Sequence, residues 1–189
     1  MRTQATLVEH LEGFVGPIQR GWNGQQVGER WPFQIVQLSG RTEGSATTLA
    51  TLGLSSVPLR NSGQSVRQEL LLFLGASNFK NAPGIVQQVA SEVVDSGTAL
   101  SVGQVLGPRG ILFEGSTVSA FLALDADSLI PGVGLFRNKK LGEVKFIGLL
   151  PITSEEANYV KRAGPAAFMK EILIRKPDLF EFRRKSWVK

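Results

Sequence analysis

Three stretches predict a domain that mixes α-helices with β-strands. Between Glu143 and Gly164, a β-branched and apolar run ending at Ile152 meets a helix-start signal at Thr153, the pattern of a buried strand feeding a helix. Phe33–Leu38 and Ser45–Leu54 are extended segments separated by a Gly-containing turn over 41–44, which suits an antiparallel hairpin or meander. Pro83–Asp95 places Ile85, Val86, Val89 and Val93 on one helical stripe, with Pro83 near the first turn.

The totals set the limits. The chain has 189 residues and is expected to form a single domain over 1–189, with a basic tail from about residue 176. At this size a full core is available without staples. The absence of cysteine removes disulfides, thiolate metal sites and cysteine nucleophiles together. The N-terminus has no long apolar run, and Glu9 and Glu12 argue against a transit peptide. No window approaches a membrane span of about 20 apolar residues, so a cytoplasmic protein is expected. The net charge of +5 is uneven: from Arg137 onward 13 Lys/Arg face 6 Asp/Glu, +7, which leaves −2 for the rest. A basic surface for an acidic partner or nucleic acid is one reading of that excess, and a solvated C-terminal region is the other.

Taken in order, Thr3–Phe14 reads as an amphipathic helix with Leu7, Leu11 and Phe14 on one stripe and Glu9 and Glu12 opposite. His10, the single histidine, has no second histidine for a metal site and no serine beside it, so a structural role is expected. Gly21–Pro32 reads as a polar, Gly-rich loop pinned by Trp22 and Trp31. Over Gly53–Val57 the second glycine of a nucleophile elbow is missing, so Ser55 is expected to bond local backbone in a tight bend. Val66–Leu74 is an apolar central strand. A carboxylate inside it, Glu69, needs a partner, and Arg67 on the same face is the candidate for a structural ion pair.

Gly97 ends the helix that begins at Pro83, Gly107–Gly110 is a turn, and Ile111–Phe113 and Val118–Leu124 read as strands. Asp125 and Asp127 follow. Their spacing could hold a hard cation, but no third ligand is near and turn chemistry is expected. Pro131–Gly134 is another turn. Pro151 lacks a backbone donor and belongs near the end of its strand. Thr153 and Glu156 form a capping box, Glu155 and Glu156 suit the helix N-terminus, and Lys161 and Arg162 suit the other end. Gly164 supplies a left-handed cap and Pro165 opens a last helix, on which Phe168, Met169, Ile172 and Leu173 form the apolar stripe. In the tail, Phe180, Phe182 and Trp187 stand among basic residues. They could stack bases, but tacking the segment onto the core is the expected role. No phosphate loop, helical zinc motif or repeat is present, and no catalytic, cofactor-binding or metal residue is assigned.

Three stretches together resemble the suppressor-of-fused domain family. Thr51-Leu52-Gly53-Leu54-Ser55 with Pro58-Leu59 is similar to its strand and Gly-Leu-Ser turn, and Arg67-Gln68-Glu69-Leu70 to its R-x-E-L strand entry. Leu150-Pro151-Ile152-Thr153, with Glu156, Tyr159 and Gly164, resembles its L-P segment, and Arg183–Val188 loosely resembles its close, with Trp187 inserted between the serine and the valine. The resemblance implies an α/β (α+β) fold, with a mixed, largely antiparallel sheet flanked by helices, and no enzymatic activity. The family's animal member is a larger, two-part protein that sequesters a transcription factor, partly by gripping a strand-like peptide. Short bacterial single-domain relatives are often encoded beside polymorphic toxins, and this chain is similar to that kind.

The leading expectation is therefore a non-catalytic protein-binding domain, an immunity protein that neutralises a toxin by complex formation. Its basic charge disfavours a nuclease target, whose groove calls for an acidic inhibitor. The alternative is nucleic-acid binding through the basic C-terminal third. An enzyme would need a buried acid dyad drawn from Glu69, Asp125 or Asp127.

Overall fold

The computed structural model describes residues 6–26, 29–40, 47–75 and 79–188. The chain divides into two units, Met1–Leu100 with Asp125–Gly148, and Ser101–Leu124 with Leu149–Lys189.

In the first unit, α1 (Leu7–Phe14) is followed by β1 (Ile18–Gln26), β2 (Glu29–Ser39), β3 (Thr47–Leu52), the small hairpin β4 (Leu59–Asn61) and β5 (Gln64–Val66), β6 (Gln68–Phe73) and α2 (Ala82–Ser96). The register Ile35↔Thr51 and Val36↔Ala50 pairs β2 with β3, and Ala50↔Leu71 pairs β3 with β6, all antiparallel. Because side chains alternate along a strand, Val36, Leu38, Ala50, Leu71 and Phe73 share one face. There they pack with Leu11 and Val15 from the α1 end, and with Phe136 and Phe146. The other face carries Ile35, Leu49 and Leu72, and α2 lies over β2, β3 and β6 with Val86, Val89 and Val93 buried. A helix therefore covers each face of this antiparallel sheet.

The second unit is built on β7 (Val105–Leu106), β8 (Val118–Asp125), the second half of β10 (Gly142–Thr153), α3 (Ser154–Ala163) and α4 (Pro165–Arg175). β7 pairs antiparallel with β8, which neighbours β10. Ala120, Leu122, Leu150, Ile152, Val160 and Phe168 form its core. In the first unit, the start of β10 pairs antiparallel with β9 (Leu135–Asn138) through Val144↔Phe136.

Several expectations change. Gly21–Pro32 is not a loop: it lies largely in β1 and β2, which pair through Trp22↔Ile35 and Asn23↔Gln34. An outer strand needs no apolar alternation, so its Gly, Asn and Gln content disguised it. Ile111–Phe113 is irregular rather than extended. Gly164 has φ +88° but an extended ψ of 156°, so it joins two helices without a left-handed cap. The turn expected at 41–44 and the start of the helix expected from Thr3 lie outside the described residues. Within the described residues, α1 begins at Leu7 behind a capping box formed by Thr6 and Glu9.

Two glycines at the end of α1 separate backbone strain from helix propensity. At Gly16 (φ +129°) an added Cβ would collide with the Ser39 carbonyl oxygen, whereas nothing lies within 4 Å of one at Gly13. Gly16→Ala is expected to cost about 2 kcal/mol, lowering Tm by roughly 4–8 °C in a chain of this size. Gly13→Ala is expected to be neutral or slightly stabilising. Thermal melts of the two variants check the pair, and equal Tm changes would contradict it.

Candidate protein-binding surface

The motif residues meet at two buried carboxylates. In the first unit, Glu69 is fully buried. Its Oε1 accepts from the Gly53 and Ser55 backbone amides, both at 3.0 Å, and from the Ser55 hydroxyl at 2.7 Å. Its Oε2 accepts from the Thr51 hydroxyl at 2.5 Å, and the Thr51 oxygen in turn accepts from the Leu70 amide at 2.8 Å. Gly53 sits at φ +104° with the Pro32 carbonyl oxygen 2.8 Å from where a Cβ would stand, so the turn that presents these donors requires glycine. Ser55 thus bonds a side chain 14 residues away, not local backbone. Arg67 does not pair with Glu69: it donates to the Ser55 carbonyl at 2.6 Å and fastens the same turn from the other side. Burial pushes the Glu69 carboxyl above its ordinary value, against the pull of its four donors.

In the second unit, the Thr153–Glu156 capping box forms as expected, with Glu156 fully buried. The sequence reading missed its partner. Arg184 donates from Nη2 to Glu156 Oε2 and to the Pro151 carbonyl, each at 2.9 Å, and its guanidinium lies 4.6 Å from the Trp187 ring centroid. The Arg184 side chain is only 8% exposed. Burial raises the Glu156 carboxyl despite the Arg184 charge, which pulls the other way. Thr117 donates its hydroxyl to the Phe182 and Arg184 carbonyls, Phe182 stacks on Phe113, and Trp187 stacks on Phe168. Of the tail aromatics, Phe182 is buried in this packing and Trp187 is half-buried against Phe168, while Phe180 is exposed.

The remaining candidates serve structure. Asp125 and Asp127 are exposed: Asp125 accepts from the Asp127 amide, and Asp127 Oδ1 accepts from the Gly132 and Gly134 amides. They form a turn, and with Glu69 buried elsewhere no acid dyad results. His10 Nε2 lies 3.0 Å from the Val133 carbonyl, its ring among Phe14, Phe136 and Phe146. Among the described residues no group of three His, Asp or Glu could hold a metal, and no helix is long and apolar enough to cross a membrane.

Among the described residues, two surfaces are candidates for contact with a partner. β1 ends the strand order of its sheet, and its exposed Gln19, Arg20 and Asn23 flank two register shifts. In the second unit, Tyr159, Glu171, Arg175, Trp187 and Val188 line an open cavity of about 450 Å³ beside α4.

The two carboxylates make separable predictions. The folded-state value of Glu69 lies above the unfolded one. Its favourable contribution is therefore complete below the ordinary glutamate value, about 4.3, and is lost as pH rises through the raised value. Denaturation from about pH 4 to 8 should show wild type losing stability relative to Glu69→Gln, which stays neutral; a constant difference would contradict this. Glu69→Leu, which orphans four donors, is expected to cost at least about 3 kcal/mol. Arg184→Met should cost roughly 3–5 kcal/mol by leaving Glu156 buried and unpaired, and adding Glu156→Gln should restore much of it. Urea titrations check the cycle, and simple additivity would refute the pairing.

The comparisons with known proteins agree with this architecture. The family model for the suppressor of fused protein (SUFU) matches residues 30–185. The fold is similar to a crystal structure of a suppressor-of-fused homologue from Neisseria gonorrhoeae, with a TM-score of 0.77, 18% identity, and 97% of this chain and 95% of that one covered. It is also similar to a chain in the crystal structure of the Sufu–Fu complex, with a TM-score of 0.69, 16% identity and 92% and 83% covered. Drosophila Suppressor of Fused aligns with a TM-score of 0.62 at 16% identity, over 82% of this chain but 43% of its own length. No curated protein matches the sequence significantly. With the family model spanning most of the residues and the fold matching solved members, the chain belongs to the suppressor of fused family.

Proposed function

We propose that this chain is a non-catalytic protein-binding domain, and that it neutralises a toxin domain by occupying it. Family membership carries the reading, because a related chain of the same fold was solved as the Sufu–Fu complex. The arrangement of ionisable groups supports it: Glu69, Glu156 and Arg184 are committed to the fold, and Asp125 and Asp127 close a turn. A partner strand added to the outer edge of β1 would use its outward backbone groups. Of the tail aromatics that could have stacked nucleic-acid bases, Phe182 is buried and Trp187 packs on Phe168, which leaves the nucleic-acid alternative the exposed Phe180 and the charge.

Co-expression with the product of a neighbouring toxin gene tests the proposal. Growth is expected to be rescued, and the two proteins to co-elute as a stoichiometric complex. Continued killing with no complex would count against it.

A further inference from the structure

We propose that the face of α4 beside the 450 Å³ cavity is the docking point for an acidic, apolar-anchored segment of the partner protein. This rests on the protein-binding reading and names the chemistry of what is held. Leu173 and Ile174, on the last turn of α4, are 72% and 65% exposed, although a leucine and an isoleucine bury well. On a helix, Ile174 lies one turn from Glu171, which lines the cavity. The cavity therefore continues into an apolar step.

Charge selects the occupant. Exposed Lys170, Arg175 and Lys176 surround the step, and the Arg162 guanidinium sits 5.7 Å from the centroid of the Tyr159 ring on the cavity wall. Among the described residues lining the cavity Glu171 is the one acid, and Arg175 engages it at 2.6 Å. A second copy of this chain would set these cations against their own images across a twofold axis. An anionic lipid surface would match the charge, but two exposed aliphatic side chains give little area to bury in a bilayer. A partner segment that carries carboxylates beside one or two large apolar residues satisfies both halves of the surface. Its apolar side chain enters between Tyr159 and Trp187 in the manner of an interface anchor, and its carboxylates meet the rim cations.

The test uses the full chain and a fluorescein-labelled synthetic peptide in which glutamates alternate with leucine and phenylalanine. A second peptide has every glutamate replaced by lysine, and a third probe is phosphatidylserine-containing vesicles. Fluorescence anisotropy should show the acidic peptide binding at least tenfold more tightly than the basic one, with affinity falling as salt rises. Ile174→Asp and Lys170→Glu, both at exposed positions, should each weaken binding at least fivefold while leaving the thermal melt nearly unchanged. Equal binding of the two peptides, undiminished binding by both variants, or binding to vesicles in preference to the acidic peptide would overturn the inference. If the toxin complex forms in co-expression and Ile174→Asp leaves it intact, this docking face is wrong while the protein-binding reading stands. If no complex forms with any partner, that reading falls as well.

Discussion

A carboxylate placed inside an apolar sheet is the constraint on which the first unit depends. Removing Glu69 from water is costly unless its oxygens are satisfied, and they are satisfied only when the Gly53–Ser55 turn bends so that two amides and a hydroxyl converge. That bend in turn requires the positive φ of Gly53 and the Arg67 contact to the Ser55 carbonyl. One side chain thus ties the end of β3 to the start of β6 in a single geometry. A buried polar network that is fully satisfied in one arrangement disfavours neighbouring ones, even where its net contribution to stability is small.

The second unit repeats the device with different parts. The Glu156 carboxylate that caps α3 also receives Arg184, and with the Thr117 and Trp187 contacts this fastens the C-terminal segment to its core. Much of the chain's unusual polar chemistry is therefore invested in holding shape. The surface includes a sheet edge and a basic face with exposed apolar side chains, features suited to contact with a partner.

How much of this was legible depended on how local each signal is. Thr153, Glu156 and Pro165 lie within a few residues of the groups they organise, and the strand–helix–helix passage was readable from them. The helix at 82–96 was readable from its valine spacing and Pro83. β1 was not, because an outer strand is stabilised by its neighbour's backbone and carries no apolar alternation of its own. The buried state of Glu69 was legible from the leucines that follow it, but its partners were not. The nearest opposite charge, Arg67, was the natural choice, whereas the solution uses amides and hydroxyls 14 to 18 residues earlier. Arg184 was hidden among the cations of the tail, where composition cannot separate one buried guanidinium from its solvated neighbours. A surface site leaves still less trace: Leu173 reads as part of the inward stripe of its helix, yet it is exposed once the helix is placed.

The central claim is that this domain works by holding another protein and leaves it chemically unaltered. Native mass spectrometry of the domain mixed with the product of its neighbouring gene, followed by denaturing mass measurement of both components, tests it most directly. The account predicts a defined stoichiometric complex whose two chains keep their original masses. A partner whose mass changes with time, with no lasting complex, would contradict it.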